Sequence, residues 1–417
     1  MLRALHTGTV ATVVSGSSSS EPFPVTVGVK QGCVLAPVLF NVYLVAVSML
    51  ALGEERRTNA GGVSLRYRFD GGAFNLQRLK ARTRVSHSTV RDLQYADDAA
   101  IVCSSAEELQ QELDIQNVAY ARMGLRMNPR KTEVMHGSVE ADPSPITLSQ
   151  ATLPVTTNFT YLGSIISSDC SVDTEIINRI GKASASFGQL RKKVYLNRDL
   201  SIKTKMSVYN AIVLAILLYG CETWALYSRQ MRRLEKFHMS CLRQMLRVRW
   251  QDRLTNNEVL SRCGSVSLET VIASRTLRWA GHLSRMDDKR LPKMVFYGER
   301  TDGTRPVGRP KKRHKDHLKS VLKSCRVEPN QFETLAADRE GWRAAVGAGT
   351  EALDQSLRAA RDRRRRARHL GPTTNANDPI TCPDCGRDFR TSSGYQSHRR
   401  AHERERERRR LRIEGQP

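Results

Sequence analysis

Asp92-Leu93-Gln94-Tyr95-Ala96-Asp97-Asp98-Ala99-Ala100-Ile101-Val102-Cys103 sets two adjacent carboxylates between two short runs with strand character. Leu93-Gln94-Tyr95 alternates and Ala100 to Cys103 is apolar, so the simplest reading is a hairpin with Asp97 and Asp98 at its tip. Strands hold such a tip in a fixed place. Paired carboxylates repel unless a cation neutralises them. Hard oxygen ligands with few other protein donors suit Mg²⁺, which keeps waters and substrate phosphates as its remaining ligands. Two such ions can clamp both oxygens of an in-line phosphoryl displacement. An Asp-Asp pair is also an ordinary polar turn, because Asp bonds its own backbone there. The surrounding motifs must separate the two readings.

Composition narrows the choice of partner. The chain of 417 residues is 40% hydrophobic and carries a formal net charge of +25. That length suggests several domains with packed cores, and a balance this basic points to a polyanion, most often nucleic acid. The nine cysteines are scattered apart from one Cys-x-x-Cys near the end. With no leader-like N-terminus, this suggests reduced thiols in the nucleus or cytoplasm and not a secreted protein. The longest apolar run, 211–219, is far short of the roughly 18 residues of a membrane span, so no membrane partner is expected.

Upstream of the carboxylates, Phe23 to Val27 reads as a strand that enters a Gly-bounded loop, Gly28-Val29-Lys30-Gln31-Gly32. Pro37 opens a helix at a position where its missing N–H costs nothing. Leu39, Phe40, Tyr43, Leu44 and Val47 recur at helical spacing and should face a core. The loop offers backbone amides and Gln31 at a helix start, a place suited to a phosphate or a base. Residues 51–90 read as a loop-rich hairpin. Downstream, Ser105 caps a helix with Glu107 and Glu108 in its first turn, and Gly124 ends it.

These segments together resemble a known family. Gly28-Val29-Lys30-Gln31-Gly32-Cys33, Leu35, Pro37, Leu39-Phe40-Asn41 and Tyr43-Leu44 resemble the loop and helix before the catalytic hairpin of non-LTR (LINE-type) retrotransposon reverse transcriptases. Tyr95-Ala96-Asp97-Asp98 looks like their catalytic hairpin. Gly124-Leu125, Asn128 and Lys131-Thr132 resemble the palm motif that follows, and Tyr161-Leu162-Gly163 the primer-grip hairpin. The four motifs occur in the family's order, and the likeness covers residues 1 to about 320. It implies an RNA-directed DNA polymerase in which Asp97 binds two Mg²⁺ ions with Asp98 beside it. It also implies that Gln31, Gly32 and Tyr95 line the nucleotide site and that Lys131 aids leaving-group protonation. The family places another catalytic Asp and its fingers upstream of the loop. Here the first Asp is Asp70, so an N-terminally truncated fragment, inactive alone, is expected.

Three amphipathic helices follow, at about 173–195, 202–218 and 229–248. The first sets Ile176, Ile180, Ala183, Phe187 and Leu190 inward and Arg179, Lys182, Arg191, Lys192 and Lys193 outward. The third sets Leu234, Phe237, Cys241, Met245 and Val248 inward and Arg232, Arg233, Lys236, Arg243 and Arg247 largely outward. Such basic faces suit a thumb gripping a nucleic-acid backbone, although any solvated helical bundle can carry charge outside. The run Gly303 to Lys315 is basic and broken by Gly and Pro, and is expected not to pack. It would track phosphates, address the nucleus, or merely link. Residues 362–369 form a second basic block.

Near the C-terminus, Cys382, Cys385, His398 and His402 follow the spacing C-x₂-C-x₁₂-H-x₃-H. Two thiolates from a hairpin and two imidazoles one helical turn apart make a closed tetrahedral Zn²⁺ site. Phe389 and Tyr395 occupy the two apolar positions of the two-cysteine, two-histidine (C2H2-type) zinc-finger family. By that resemblance the base-reading positions are Thr391, Gly394 and Ser397, which are too small for bidentate base contacts. Binding to RNA and DNA should therefore run mainly through phosphates, with a steep salt dependence.

The expected architecture is α+β. It comprises a partial polymerase palm (1–170), a helical thumb (171–250), a basic helical linker region (251–375), a ββα zinc finger (376–404) and a basic tail (405–417). The alternative is a non-enzymatic zinc-finger nucleic-acid-binding protein descended from such an element.

Overall fold

A computed structural model describes residues 7–26, 28–29, 32–51, 53, 61–137, 144–303, 308, 310–370, 380–389 and 392–414. Helices mix with small antiparallel sheets, an α+β arrangement. No described helix is long and apolar enough to cross a membrane.

The N-terminal part is built of short pieces. Strands β1 (Val10–Ala11) and β4 (Phe23–Pro24) pair antiparallel, with β2 (Val14–Ser15) and β3 (Ser18–Ser19) as a small hairpin between them. Helix α1 (Ala36–Ala51) buries Leu44 and Val47 and half-buries Leu39, Phe40 and Tyr43, the face read from the spacing. Its opposite face is apolar and open, with Val38, Val42, Val45 and Met49 all exposed. Strands β5 (Val63–Tyr67) and β6 (Ser86–Val90) form the expected hairpin. Then come β7 (Asp92–Tyr95), β8 (Asp98–Ile101) and α2 (Ala106–Arg122). Ser105 caps α2 by accepting from the Glu108 amide at 3.2 Å. Gly124, at φ 76, turns the chain away, as a left-handed residue after a helix does. Two further hairpins follow: β9 (Thr147–Leu148) with β10 (Ala151–Thr152), and β11 (Asn158–Tyr161) with β12 (Ser164–Ser167). A small core of Leu113, Val134, Ile146, Leu148 and Leu153 joins α2 to this segment.

The helical part is denser. Helix α3 (Asp173–Leu190) continues through a wider π turn (Arg191–Tyr195) that stacks Tyr195 on Phe187 at 4.3 Å between ring centres. Helix α4 (Ile202–Val208) likewise passes through a π stretch (Tyr209–Leu214). Helix α5 (Ser228–Leu246) buries Leu234, His238, Cys241, Leu242 and Met245. Together with α6 (Asn256–Arg262) they enclose one continuous apolar core. Arg179 departs from its expected outward position. It is buried, bonds Glu175 at 2.6 Å and reaches the Gly163 carbonyl. Its local partner at i−4 neutralises the charge that polarity alone would send to water.

A second core lies between α7 (Leu268–Ser284), α8 (Leu291–Tyr297), α9 (His314–Ser324), α10 (Phe332–Ala337) and α11 (Arg339–Leu370). Helices α7 and α11 meet at Gly281, where an added Cβ would sit 2.2 Å from Trp342 Nε1. That indole donates to the Leu277 carbonyl at 3.1 Å. Strand β13 (Gly298–Arg300) pairs with β5, so the segment before the carboxylates joins this helical layer. Ala73 belongs to the same core, and Arg78 Nη2 donates to the Tyr297 carbonyl at 2.9 Å.

The basic run read as unpacked is in its second half folded. Residues Thr304–Val307 and Arg309 lie outside the described residues. The Lys312 amide donates to Tyr227 Oη at 2.7 Å, His314 Nε2 lies 3.0 Å from the Glu222 carbonyl, and Lys315 Nζ donates to the Gly298 carbonyl at 2.9 Å. Burial pushes the Lys315 ammonium down to about 8. Buried carbonyls supply partners that a reading by local charge cannot see.

At the C-terminus, β14 (Ile380–Thr381) and β15 (Asp388–Phe389) pair antiparallel ahead of α12 (Ser392–Glu414), a ββα unit.

Candidate functional site

The carboxylate hairpin closes tightly. Tyr95 pairs with Asp98 and Gln94 with Ala99, which leaves Ala96 and Asp97 as a two-residue loop. Asp97 therefore sits at the tip and Asp98 opens the return strand. Ala96 adopts φ 53, a left-handed conformation that an L-residue with a Cβ enters at a cost of about 1–2 kcal/mol. Such strain collects where a neighbouring side chain must be aimed. Asp97 and Asp98 are exposed, and Tyr95 beside them is 66% exposed.

Polar contacts support the hairpin from behind. Gln94 Nε2 lies 3.2 Å from Tyr120 Oη, and Tyr161 Oη donates to the Leu93 carbonyl at 2.9 Å. Burial, and then the Glu112 charge, raises the Asp92 carboxyl above its usual range. Glu112 itself is buried and accepts from Gln116 Nε2 at 3.2 Å. Burial also pushes the Cys103 thiol up to about 11. Tyr161 is raised by burial, then by the charges of Asp98 and Asp92, which puts its phenol within electrostatic reach of the tip. The spacing-based reading gave no role to Asp92, Glu112 or Tyr120. Their signal was available only in α2, where Glu112 and Gln116 fall one turn apart and face the hairpin.

The other residues singled out from the sequence are distributed as follows. Gly28 and Gly32 both adopt positive φ, at 92 and 86, with open space where a Cβ would be. Gln31 lies outside the described residues. The Tyr43 hydroxyl donates to the Met123 carbonyl, which holds the helix after this loop against the end of α2. Lys131 is exposed in a turn organised by Asn128, whose carbonyl accepts from the Lys131 amide at 3.0 Å and whose Oδ1 accepts from the Arg130 amide at 3.0 Å. Among the described residues no hydrogen bond or ion pair joins Lys131 to Asp97 or Asp98. Nor does a third His, Cys, Asp or Glu among them complete a metal-holding group with that pair.

One metal-holding group does assemble. The donor atoms of Cys382, Cys385, His398 and His402 all lie within 4.8 Å of one another. His398 Nε2 is 3.0 Å from Cys385 Sγ and 3.0 Å from His402 Nε2. The Cys382 carbonyl accepts from the Gly386 amide at 2.8 Å, and Gly386 takes φ 68, which bends the knuckle so that both thiols face the helix. Phe389 packs on His398 with ring centres 4.7 Å apart and lies 6.1 Å from Tyr395. Two sulfurs and two imidazole nitrogens in a tetrahedral-sized cluster can hold a metal ion with all positions filled by protein. Gly394 and Ser397 lie on α12, and Thr391 lies outside the described residues.

The helical part presents cations. Lys182, Arg191, Lys192, Lys193, Arg232, Arg233 and Lys236 are exposed on α3, its π turn and α5. Asp173 takes up part of that charge, bonding Arg229 at 2.6 Å and lying 3.7 Å from Arg233.

Comparison with known proteins agrees with this geometry. Residues 2–166, which contain the glycine loop, the carboxylate hairpin and nearly all of the Tyr161 hairpin, match the reverse transcriptase (RNA-dependent DNA polymerase) family. A transposon-derived protein of Caenorhabditis elegans is 26% identical over 281 residues, covering 64% of this chain and 99% of the relative. The chain thus carries a reverse-transcriptase-like domain, and its likeness extends to a transposon-derived protein.

Proposed function

We propose that this chain is the nucleic-acid-binding, polymerase-derived part of a non-LTR (LINE-type) retrotransposon reverse transcriptase, with a C2H2-type zinc finger at its C-terminal end. The observation that carries the reading is the tight Asp97–Asp98 hairpin inside the matched segment, braced by Tyr161 from the β11–β12 hairpin. Asp97 and Asp98 are the Mg²⁺ ligands, and the ion when bound neutralises charge that develops on a transferring phosphoryl group. Gln31, Gly32 and Tyr95 bound the nucleotide, and Lys131 serves the leaving group. The exposed cations of α3 and α5 hold the backbone of the duplex.

By this reading the chain alone binds RNA and DNA without extending a primer. Among the described residues the pair has no third carboxylate, and Mg²⁺ requires near-ideal octahedral coordination. The same observation favours the second reading, a non-enzymatic nucleic-acid-binding protein derived from the element. A primer-extension assay with Mg²⁺ separates them from an intact polymerase. Salt-sensitive binding without extension is expected, and robust synthesis abolished by Asp97→Asn would refute it. The Cys/His cluster fits Zn²⁺ by donor type and number. Metal analysis of the purified chain should find one zinc, lost in Cys385→Ser.

A further inference from the structure

A large cleft lies away from the carboxylate hairpin. It has a volume of about 1210 Å³ and opens between α7 and α11. Five arginines line it: Arg275, Arg278 and Arg285 from α7 and the segment after it, Arg339 and Arg343 from α11. Glu222 is the one acid in its wall. Arg275 Nη1 donates to the Leu218 carbonyl at 3.0 Å, and Arg285 donates to the Ala336 carbonyl. A carbonyl fixes the guanidinium without cancelling its charge. Arg278, Arg339 and Arg343 are exposed and have no ion-pair partner among the described residues. Trp279 is half-buried in the same wall, with His282 5.5 Å away between ring centres. Trp342 is wholly buried and forms the floor.

We propose that this cleft is a nucleic-acid site separate from the carboxylate hairpin and the Cys/His cluster, taking single-stranded RNA or DNA. Phosphates lie against Arg278, Arg339 and Arg343, and an unstacked base lies against Trp279. A small anion would be served by one or two arginines in an enclosed pocket, whereas this cleft is open and its five arginines are spread over two helices. It runs on past Ser274 and Gly347 into a second cleft of about 590 Å³ that offers Thr270, Thr350 and Gln355 together with two acids, Glu351 and Asp354, the latter neutralised by Arg358 at 2.6 Å. Beyond that, α11 carries Arg364, Arg365 and Arg368. From Arg339 to Arg368 the helix rises about 44 Å, the length of a strand of several nucleotides. A paired duplex hides its base faces, so the ring of Trp279 favours a single strand, as on the aromatic platforms of other single-strand binders. The choice of nucleic acid as ligand rests on the function proposed above, while the location of the site does not.

The test uses the full chain and fluorescence anisotropy with labelled oligo-uridine, oligo-thymidine and a blunt duplex. Trp279→Ala should weaken single-strand binding by about tenfold or more and leave duplex binding unchanged, while Trp279→Phe keeps most of the affinity. Arg278→Glu with Arg343→Glu, both at exposed positions, should also weaken it and lower the slope of log affinity against log salt by about one to two. Circular dichroism and melting confirm that each variant is folded. Loss with either single strand supports the site, and the strand that loses more is the one the cleft takes. Unchanged single-strand binding in the folded double variant overturns the inference, as does an equal loss on the duplex in Trp279→Ala. If the unaltered chain binds neither RNA nor DNA, the proposed function fails along with it. If Lys182→Glu with Arg232→Glu abolishes all binding while the cleft variants retain theirs, the inference alone fails.

Discussion

The helical part and the part bearing the carboxylates solve the problem of burial differently. Between α3 and α7 one continuous core encloses Tyr195, Tyr209, Leu217, Leu234 and Leu242, each with no measurable exposure. Around the carboxylates the clustered core shrinks to Leu113, Val134, Ile146, Leu148 and Leu153. There α1 leaves Val42 63% and Met49 64% exposed. The chemistry-bearing segment is thus the less consolidated of the two, and leans on its neighbour. Regions of sparse packing open first, and an uncovered apolar face of this kind is unusual on a self-sufficient domain.

The sharpest way to break this contrast is at the joint. Arg179 and Glu175 are both buried, and the pair also holds the Gly163 carbonyl and the Ile165 amide. Arg179→Met strands the Glu175 charge and should cost about 3–5 kcal/mol in urea unfolding. A loss below about 1 kcal/mol would mean that the two parts do not depend on this pair. Within the dense core, Leu242→Ala should cost about 2–5 kcal/mol. Val38→Ala on the open face of α1 should stay within about 0.5 kcal/mol, and equal costs would erase the contrast.

Acid should act on the helical part. Burial pushes the His238 imidazole down to about 4, and His317 likewise to about 4. An unfolded imidazole takes its proton near 6.5. Between those values the unfolded chain holds more protons, so stability is complete above about pH 6.5 and falls as the pH drops towards 4. His238 bonds Tyr209 Oη at 2.9 Å within the core, and a shift of that size corresponds to roughly 3 kcal/mol. Unfolding curves between pH 7 and 4.5 should show the decline, with a shallower slope in His238→Gln. A flat profile would remove His238 from the account. A smaller effect is expected of Tyr161→Phe, about 0.5–1.5 kcal/mol for one hydrogen bond. Hydrogen exchange should register it at the Asp92–Tyr95 strand before any change appears in α5.

What the sequence made legible was local. The presence of the hairpin, the Ser105 cap, the Gly124 exit, the buried stripe of α1 and the inward faces of α3 and α5 all follow from periodicity and end signals within a few residues, whereas the register, which puts Asp98 on the return strand and not at the tip, did not. What stayed hidden was non-local or depended on a partner. Arg179 looks like an outward cation until Gly163 and Glu175 are placed around it. Lys312, His314 and Lys315 look like a free basic run until the carbonyls of Leu226, Glu222 and Gly298 come to meet them. Pairing of β13 with β5 joins segments more than two hundred residues apart, and no short-range pattern announces it. The π turns at 191–195 and 209–214 also escaped, because one extra residue per turn leaves the average helical spacing nearly intact. At the candidate site the tip was legible, whereas Asp92, Glu112 and Tyr120 became visible only when α2 lay behind it.

The Tyr161 bond has a mechanical meaning. Its hairpin is gripped on one side by Arg179 of α3 and by the Tyr219 hydroxyl, which donates to the Leu162 carbonyl at 3.0 Å. On the other side it holds the Leu93 backbone. A rocking of α3 therefore cannot leave the strand ahead of Asp97 undisturbed unless that bond breaks. The acidic tip is thereby tethered to the helical body as well as to the two strands that carry it.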